Sequence, residues 1–270
     1  IGLFMITTFY LTSGWVSGIS NKQIKPNELL KKRIKQLGVP YLWFSAIIVV
    51  FDIIWIALGY MESSILLRDI YKIITLRGIG TLWFLPVLVI GEYIFAIVRN
   101  SKQKWLLATL FMIATLAAIY AYYNIWFPLR DLSELNKLID APMQTIMRGL
   151  YAWPIVAIGY ITAQKWGYRL IGAGRIKLIA TSATLFAISI ALVVNPPFDI
   201  YYINGALCNT LPAIAFMCLF ALFPQNVITG FFTYWGVNSL ILMCTHFSIT
   251  MEILMAFDKH MLHHPVFEGA

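Results

Sequence analysis

Apolar and polar positions alternate along this chain on the scale of whole helices. Eight apolar runs of span-like length cover residues 1–17, 37–59, 82–98, 105–123, 142–163, 178–195, 205–223 and 231–256. A bilayer crossing needs about 17 to 25 mostly apolar residues, so each run predicts a transmembrane helix, the first one short. A membrane barrel would instead show strands of about ten residues with strict alternation, and these runs are continuous. The expected fold is therefore an all-α, polytopic helical bundle with about eight spans. Short linkers, with no repeat and no low-complexity tract, predict a single domain over 1–270.

Two polar connections carry a finer pattern. In "MESSILLRDIYKIITLRGIGT" (61–81), Ile65, Leu66, Ile70, Ile73, Ile74 and Leu76 recur at helical spacing, which predicts a helix lying along the interface. "NIWFPLRDLSELNKLIDAP" (124–142) has mixed charge and a proline near each end, and Ser133 is placed to cap a short helix.

Composition sharpens the class. Of the 270 residues, 60% are hydrophobic and 12% charged, with a mean hydropathy of +0.77. Soluble domains carry roughly 25% charged residues, so this chain cannot cover a soluble surface. Its net charge of +8 would suit nucleic acid if it were gathered on one face. Here the cations are spread between apolar runs, which argues against a nucleic-acid partner. Cys208, Cys218 and Cys244 lie within apolar runs at no metal-like spacing.

The cations also give orientation. The first, third and fifth connections together hold thirteen Lys and Arg, against six in the even connections and the tail. The positive-inside rule then makes the odd connections cytoplasmic and places the C-terminus outside. The implied location is a cell inner (plasma) membrane, crossed several times.

Three features could carry chemistry. The run Lys31-Lys32-Arg33-Ile34-Lys35-Gln36 reads as a topology anchor touching anionic headgroups, or as a patch for a phosphate-rich cytosolic molecule, since Arg makes forked phosphate contacts. Asp52, Glu92 and Arg148 are charges inside spans, costly unless paired or functional. Glu92, in the cytoplasmic half of its span, is placed to pair with the basic run; Arg148 reads as an ion-pair partner or a site residue. His246 shares a face with Ser239 in the last span, and reads as a packing residue or a general base. His260, His263 and His264 have no supporting carboxylate, so no metal site is expected. Gly-rich phosphate loops, HExxH and GxSxG are absent.

Several segments, in order, resemble the acyltransferase 3 family of bacterial membrane O-acyltransferases, including its fucose 4-O-acetylase-like group. They are "FYLTSGW" (9–15), "KKRIKQLGVPYLWF" (31–44), "TLWFLPVLVIGE" (81–92), "YAWPIVAIGYI" (151–161) and "VNSLILMCTH" (237–246). The resemblance implies transfer of an acyl group, commonly acetyl from acetyl-CoA, to a hydroxyl of a sugar or cell-surface glycan, with the donor arriving from the cytoplasm. It implies that Arg33, Lys32, Lys35 and Gln36 meet the CoA phosphates. Arg33 matches the first arginine of an R-x-x-R pattern, and Gln36 stands at the second. Lys32 and Lys35 could compensate as point charges without the fork. Arg148 and His246 are the in-chain candidates for the catalytic centre. The family's catalytic His falls on a helix expected before Ile1. That expectation makes 1–270 incomplete at its start, and possibly at its end, and inactive alone. The competing readings are a flippase or exporter of a lipid-linked saccharide, for which paired broken spans are the signature, and a degenerate, inactive family member.

Overall fold

In a computed structural model of the chain, the described residues are 2–20, 22–59, 61–171, 174–195, 201–223, 226–239, 241 and 244. They are helical nearly throughout, with no strand among them. The long helices are α1 (Gly2–Ser20), α3 (Val39–Ala57), α5 (Phe84–Asn100), α6 (Lys104–Ala121), α8 (Glu134–Ile171), α9 (Arg175–Val194) and α10 (Tyr201–Phe220). Shorter ones are α2 (Pro26–Arg33), α4 (Ser63–Ile74), α7 (Phe127–Arg130) and α11 (Val227–Val237). Among the described residues, five helical stretches are long and apolar enough to cross a membrane: Pro26–Ala57, Gly80–Asn100, Lys104–Arg130, Glu134–Gly167 and Arg175–Val194. The protein is an all-α, multi-pass membrane protein. Seven of the eight expected spans coincide with α1, α3, α5, α6, α8, α9 and α10. The eighth begins near α11 and runs outside the described residues, as do His246 and the three tail histidines.

Helix α8 is the spine of the bundle. It packs along α1 and α5, while α9 pairs with α10 and α10 with α1. Tyr10 and Leu11 of α1, Val87 and Leu88 of α5, and Ile155 and Val156 of α8 form the central core. The α1–α8 seam is close because both helices place glycine there. A Cβ on Gly14 would lie 2.0 Å from the Val156 carbonyl oxygen, and one on Gly159 would lie 2.1 Å from that of Leu11. Small residues let backbones approach where lipid supplies no hydrophobic drive between helices.

Two features depart from the pattern-based reading. The pattern sets the basic run in a connection ahead of the span 37–59, and the structure joins it to that span. Residues Pro26–Arg33, a π-helical segment Ile34–Gly38 and α3 follow without a break, so Arg33 sits within a helix entering the bundle. The second departure is at Pro142. Taken from the pattern, it opens a span after a separate short helix. In the structure Ser133 does cap, accepting from Asn136 N–H at 3.1 Å, but the helix it starts is α8 itself, which continues through Pro142 and Pro154.

A proline inside a helix frees the carbonyl four residues earlier, and in a bilayer that carbonyl needs a partner. Three neighbouring hydroxyls provide it. Tyr71 of α4 donates to the Leu138 carbonyl freed by Pro142. Thr115 of α6 shares its hydroxyl proton between the Phe111 carbonyl of its own helix, at 2.7 Å, and that of Leu150, freed by Pro154, at 3.4 Å. Ser189 of α9 donates to that of Cys208, freed by Pro212 in α10, at 2.9 Å. Pro40 and Pro128 are handled differently: a π segment (Ile34–Gly38, Tyr122–Trp126) ends two residues before each. The wider turn carries the ladder past the missing donor.

Candidate functional site

Three chain segments far apart in sequence meet at one buried carboxylate. Glu92, 4% exposed, lies on α5 eight residues before its end at Asn100, about 12 Å along the axis. The π segment brings α2 against this face of α5, and Arg33 reaches across. Its Nη2 donates to Glu92 Oε1 at 2.8 Å, and its Nε abuts Oε2. The contact is an ion pair held by one charge-assisted hydrogen bond, from Nη2 to Oε1. From α1, Ser13 Oγ donates to Oε1 as well. The remaining Arg33 prong, Nη1, donates to Gln36 Oε1 at 3.1 Å. Glutamate and arginine are thus each neutralised, and four side chains from α1, α2, the π segment and α5 form one network.

A second brace repeats the arrangement nearer the end of α5. Arg99 donates from Nη1 to Ser17 Oγ at 3.1 Å and from Nη2 to the Lys22 carbonyl. Its guanidinium lies 4.8 Å from the centre of the Tyr160 ring. Ser13 and Ser17 are one turn apart on α1, so α1 offers a hydroxyl to each arginine–α5 contact.

Around this fixed centre the other basic side chains remain outward. Lys31, Lys32, Lys35 and Gln36 are exposed, whereas the Arg33 side chain is 29% exposed. The arrangement presents three exposed point charges and one clamped guanidinium edge at a single end of the bundle. Anionic oxygens are what such a surface attracts.

The other expected candidates lie apart. Arg148, on α8, stacks its guanidinium 4.3 Å from the centre of the Trp83 ring, just before α5 begins, and so is not part of the Glu92 network. Asp52, on α3, is 1% exposed, and neither carboxylate oxygen has a hydrogen-bond partner among the described residues. His246 lies outside the described residues.

Two participants escaped the sequence reading. Ser13 stands in the quoted "FYLTSGW" stretch, but nothing in a serine's spacing foretells a partner seventy-nine residues away. Asp140 was read as part of a polar connection. It is 1% exposed and accepts from Tyr122 Oη at 2.7 Å and from Trp126 Nε1 at 3.1 Å. The aromatic cluster before it in sequence was the available signal.

No curated protein and no solved structure matches the chain. A family model, that of the acyltransferase domain of the acyltransferase 3 type, matches residues 1–267. The segments joined by the Glu92 network, "FYLTSGW", "KKRIKQLGVPYLWF" and "TLWFLPVLVIGE", all lie inside that match. With nearly its whole length covered, this chain belongs to the acyltransferase 3 family of membrane acyltransferases.

Proposed function

We propose that the protein moves an acyl group, acetyl in the simplest case, from acyl-CoA to a hydroxyl of a sugar or cell-surface glycan. In this reading the basic end of the bundle faces the cytoplasm of a bacterial inner membrane, and the CoA phosphates dock there. A base takes the proton of the acceptor hydroxyl, whose oxygen attacks the thioester carbonyl. The new C–O bond forms, the C–S bond breaks, and the CoA thiolate leaves and takes up a proton. Polar or cationic groups hold the developing oxyanion.

The observation that carries the proposal is the division of labour in the basic segment. Glu92, itself bonded by Ser13, fixes Arg33, and the fixed helix leaves Lys32, Lys35 and Gln36 exposed. A carboxylate-clamped arginine attracts anions less than a free one. The electrostatic attraction to the donor therefore falls mainly on the lysines, with the outer edge of Arg33 supplying orientation.

The test is an assay of the full-length protein in membranes with radiolabelled acetyl-CoA and glycan acceptors. The proposal expects label in a base-labile ester, and loss of transfer in Lys32→Gln/Lys35→Gln. Transfer to an amine, or full activity in that double variant, would contradict it.

A further inference from the structure

A groove of about 420 Å3 runs between the basic helical stretch and α5. Leu30, Ile34 and Leu37 form one wall, and Leu85, Val89 and Ile90 the other. Among the described residues Tyr41 supplies the only lining hydroxyl, and it is turned away, donating to the Ile73 carbonyl at 2.9 Å. The walls therefore offer no hydrogen bond, and only hydrocarbon fits them. Exposed Ile34, Val39 and Leu42 stand at the mouth, so the groove opens at the surface of the bundle. From Leu30 to Leu42 it follows the helix for about 18 Å. Gly38 lines it in the middle. A Cβ there would meet only Ile34 Cγ2, at 3.6 Å, so this position keeps the groove open.

The charges at its basic end give the groove a direction. On the helix, Lys31 projects about 60° from Ile34, beside the groove, whereas Lys32 projects about 160° away. Lys31 is exposed, and the donor reading makes no use of it. We infer that the groove holds one acyl chain of an anionic phospholipid, with the headgroup phosphate on Lys31. A phospholipid joins its phosphate to its chains through a short glycerol unit, which suits a lysine directly beside the start of an apolar groove. In acyl-CoA the long pantetheine arm separates phosphates from acyl chain, and that spacing does not suit it. The bound lipid would brace the π segment alongside α5 and stabilise the helix that presents the donor-binding lysines. The inference does not depend on the proposed reaction.

Native mass spectrometry of the detergent-purified full-length protein, titrated with phosphatidylglycerol or phosphatidylcholine, tests it. One phosphatidylglycerol should be retained per chain, about tenfold more tightly than phosphatidylcholine. Lys31→Gln should abolish that preference, and Lys32→Gln should leave it intact. Gly38→Leu, which fills the groove, should lose retention of both lipids, while Gly38→Ala at unchanged helicity keeps it. Equal retention of the two lipids by the wild type would overturn the inference. So would unaltered retention in a folded Gly38→Leu variant. Displacement of the lipid by palmitoyl-CoA but not by CoA would also overturn it, assigning the groove to a donor chain.

Discussion

Glu92 shows why a buried charge at a helix seam is sensitive to substitution. Its carboxylate is neutralised only because Arg33 and Ser13 arrive from two other segments. Removing one partner of a buried ion pair leaves an unpaired charge and costs about 3–5 kcal/mol. Glu92→Ala and Arg33→Ala should therefore both lower the melting temperature in detergent. The double variant should be less destabilised than the sum, because neither charge is then left alone. Strict additivity would mean that the pair is not coupled. Ser13→Ala should cost less, about 1.5–3 kcal/mol for a hydrogen bond to a charged group. Glu92 was legible in the sequence as a carboxylate at a depth where it must find a cation. Which cation it finds was legible only as the nearest basic run. That Arg33 is the partner depends on the π segment, and hydrophobic periodicity carries no trace of a single widened turn.

At the scale of elements, prolines and neighbouring hydroxyls form matched pairs. Tyr71 serves the carbonyl freed by Pro142, Thr115 that freed by Pro154, and Ser189 that freed by Pro212. Thr115→Val and Ser189→Ala should each cost roughly 1–3 kcal/mol, the penalty for a carbonyl left unsatisfied away from water, and Tyr71→Phe less, because Leu138 is exposed. Thr115→Val should sit at the high end, because Trp153 Nε1 also loses its acceptor at 2.9 Å. The compensation is readable by thermal melting: Pro142→Ala, which restores the backbone bond, should rescue Tyr71→Phe. Failure of the rescue would separate the hydroxyl from the proline. These pairings also explain a limit of the sequence reading. Pro142 looks like a boundary when only its own helix is considered. The hydroxyl that permits α8 to continue is on α4, a separate element. By contrast, the Ser133 cap and the amphipathic α4 depend on neighbours within a few residues, and both were legible.

For the whole molecule, the assembly rests on α1 lying directly against α8. Gly14 and Gly159 face backbone carbonyls at distances that admit no Cβ. Gly159→Ala should push the helices apart and displace Ser13 from Glu92. Its expected signature is a stability loss of at least about 1–3 kcal/mol from overpacking, together with weaker donor binding. Retained stability would show that the seam is more yielding than its geometry. Among the described residues, the span pattern is matched in order by seven long helices, because each crossing must bury its own backbone polar groups. It left open which helix is the spine, since lipid-facing and helix-facing surfaces are equally apolar.

The proposed function requires the basic helical segment, held by Glu92, to receive the phosphates of an acyl donor. Calorimetric titration of the full-length protein with acetyl-CoA, comparing wild type with Lys32→Gln/Lys35→Gln, tests it most directly. Both substitutions lie on an exposed face, so the melting temperature should be unchanged. Binding should weaken by tenfold or more, as loss of about 1.4 kcal/mol or more implies, and depend less on salt. Unchanged affinity in the double variant would contradict it.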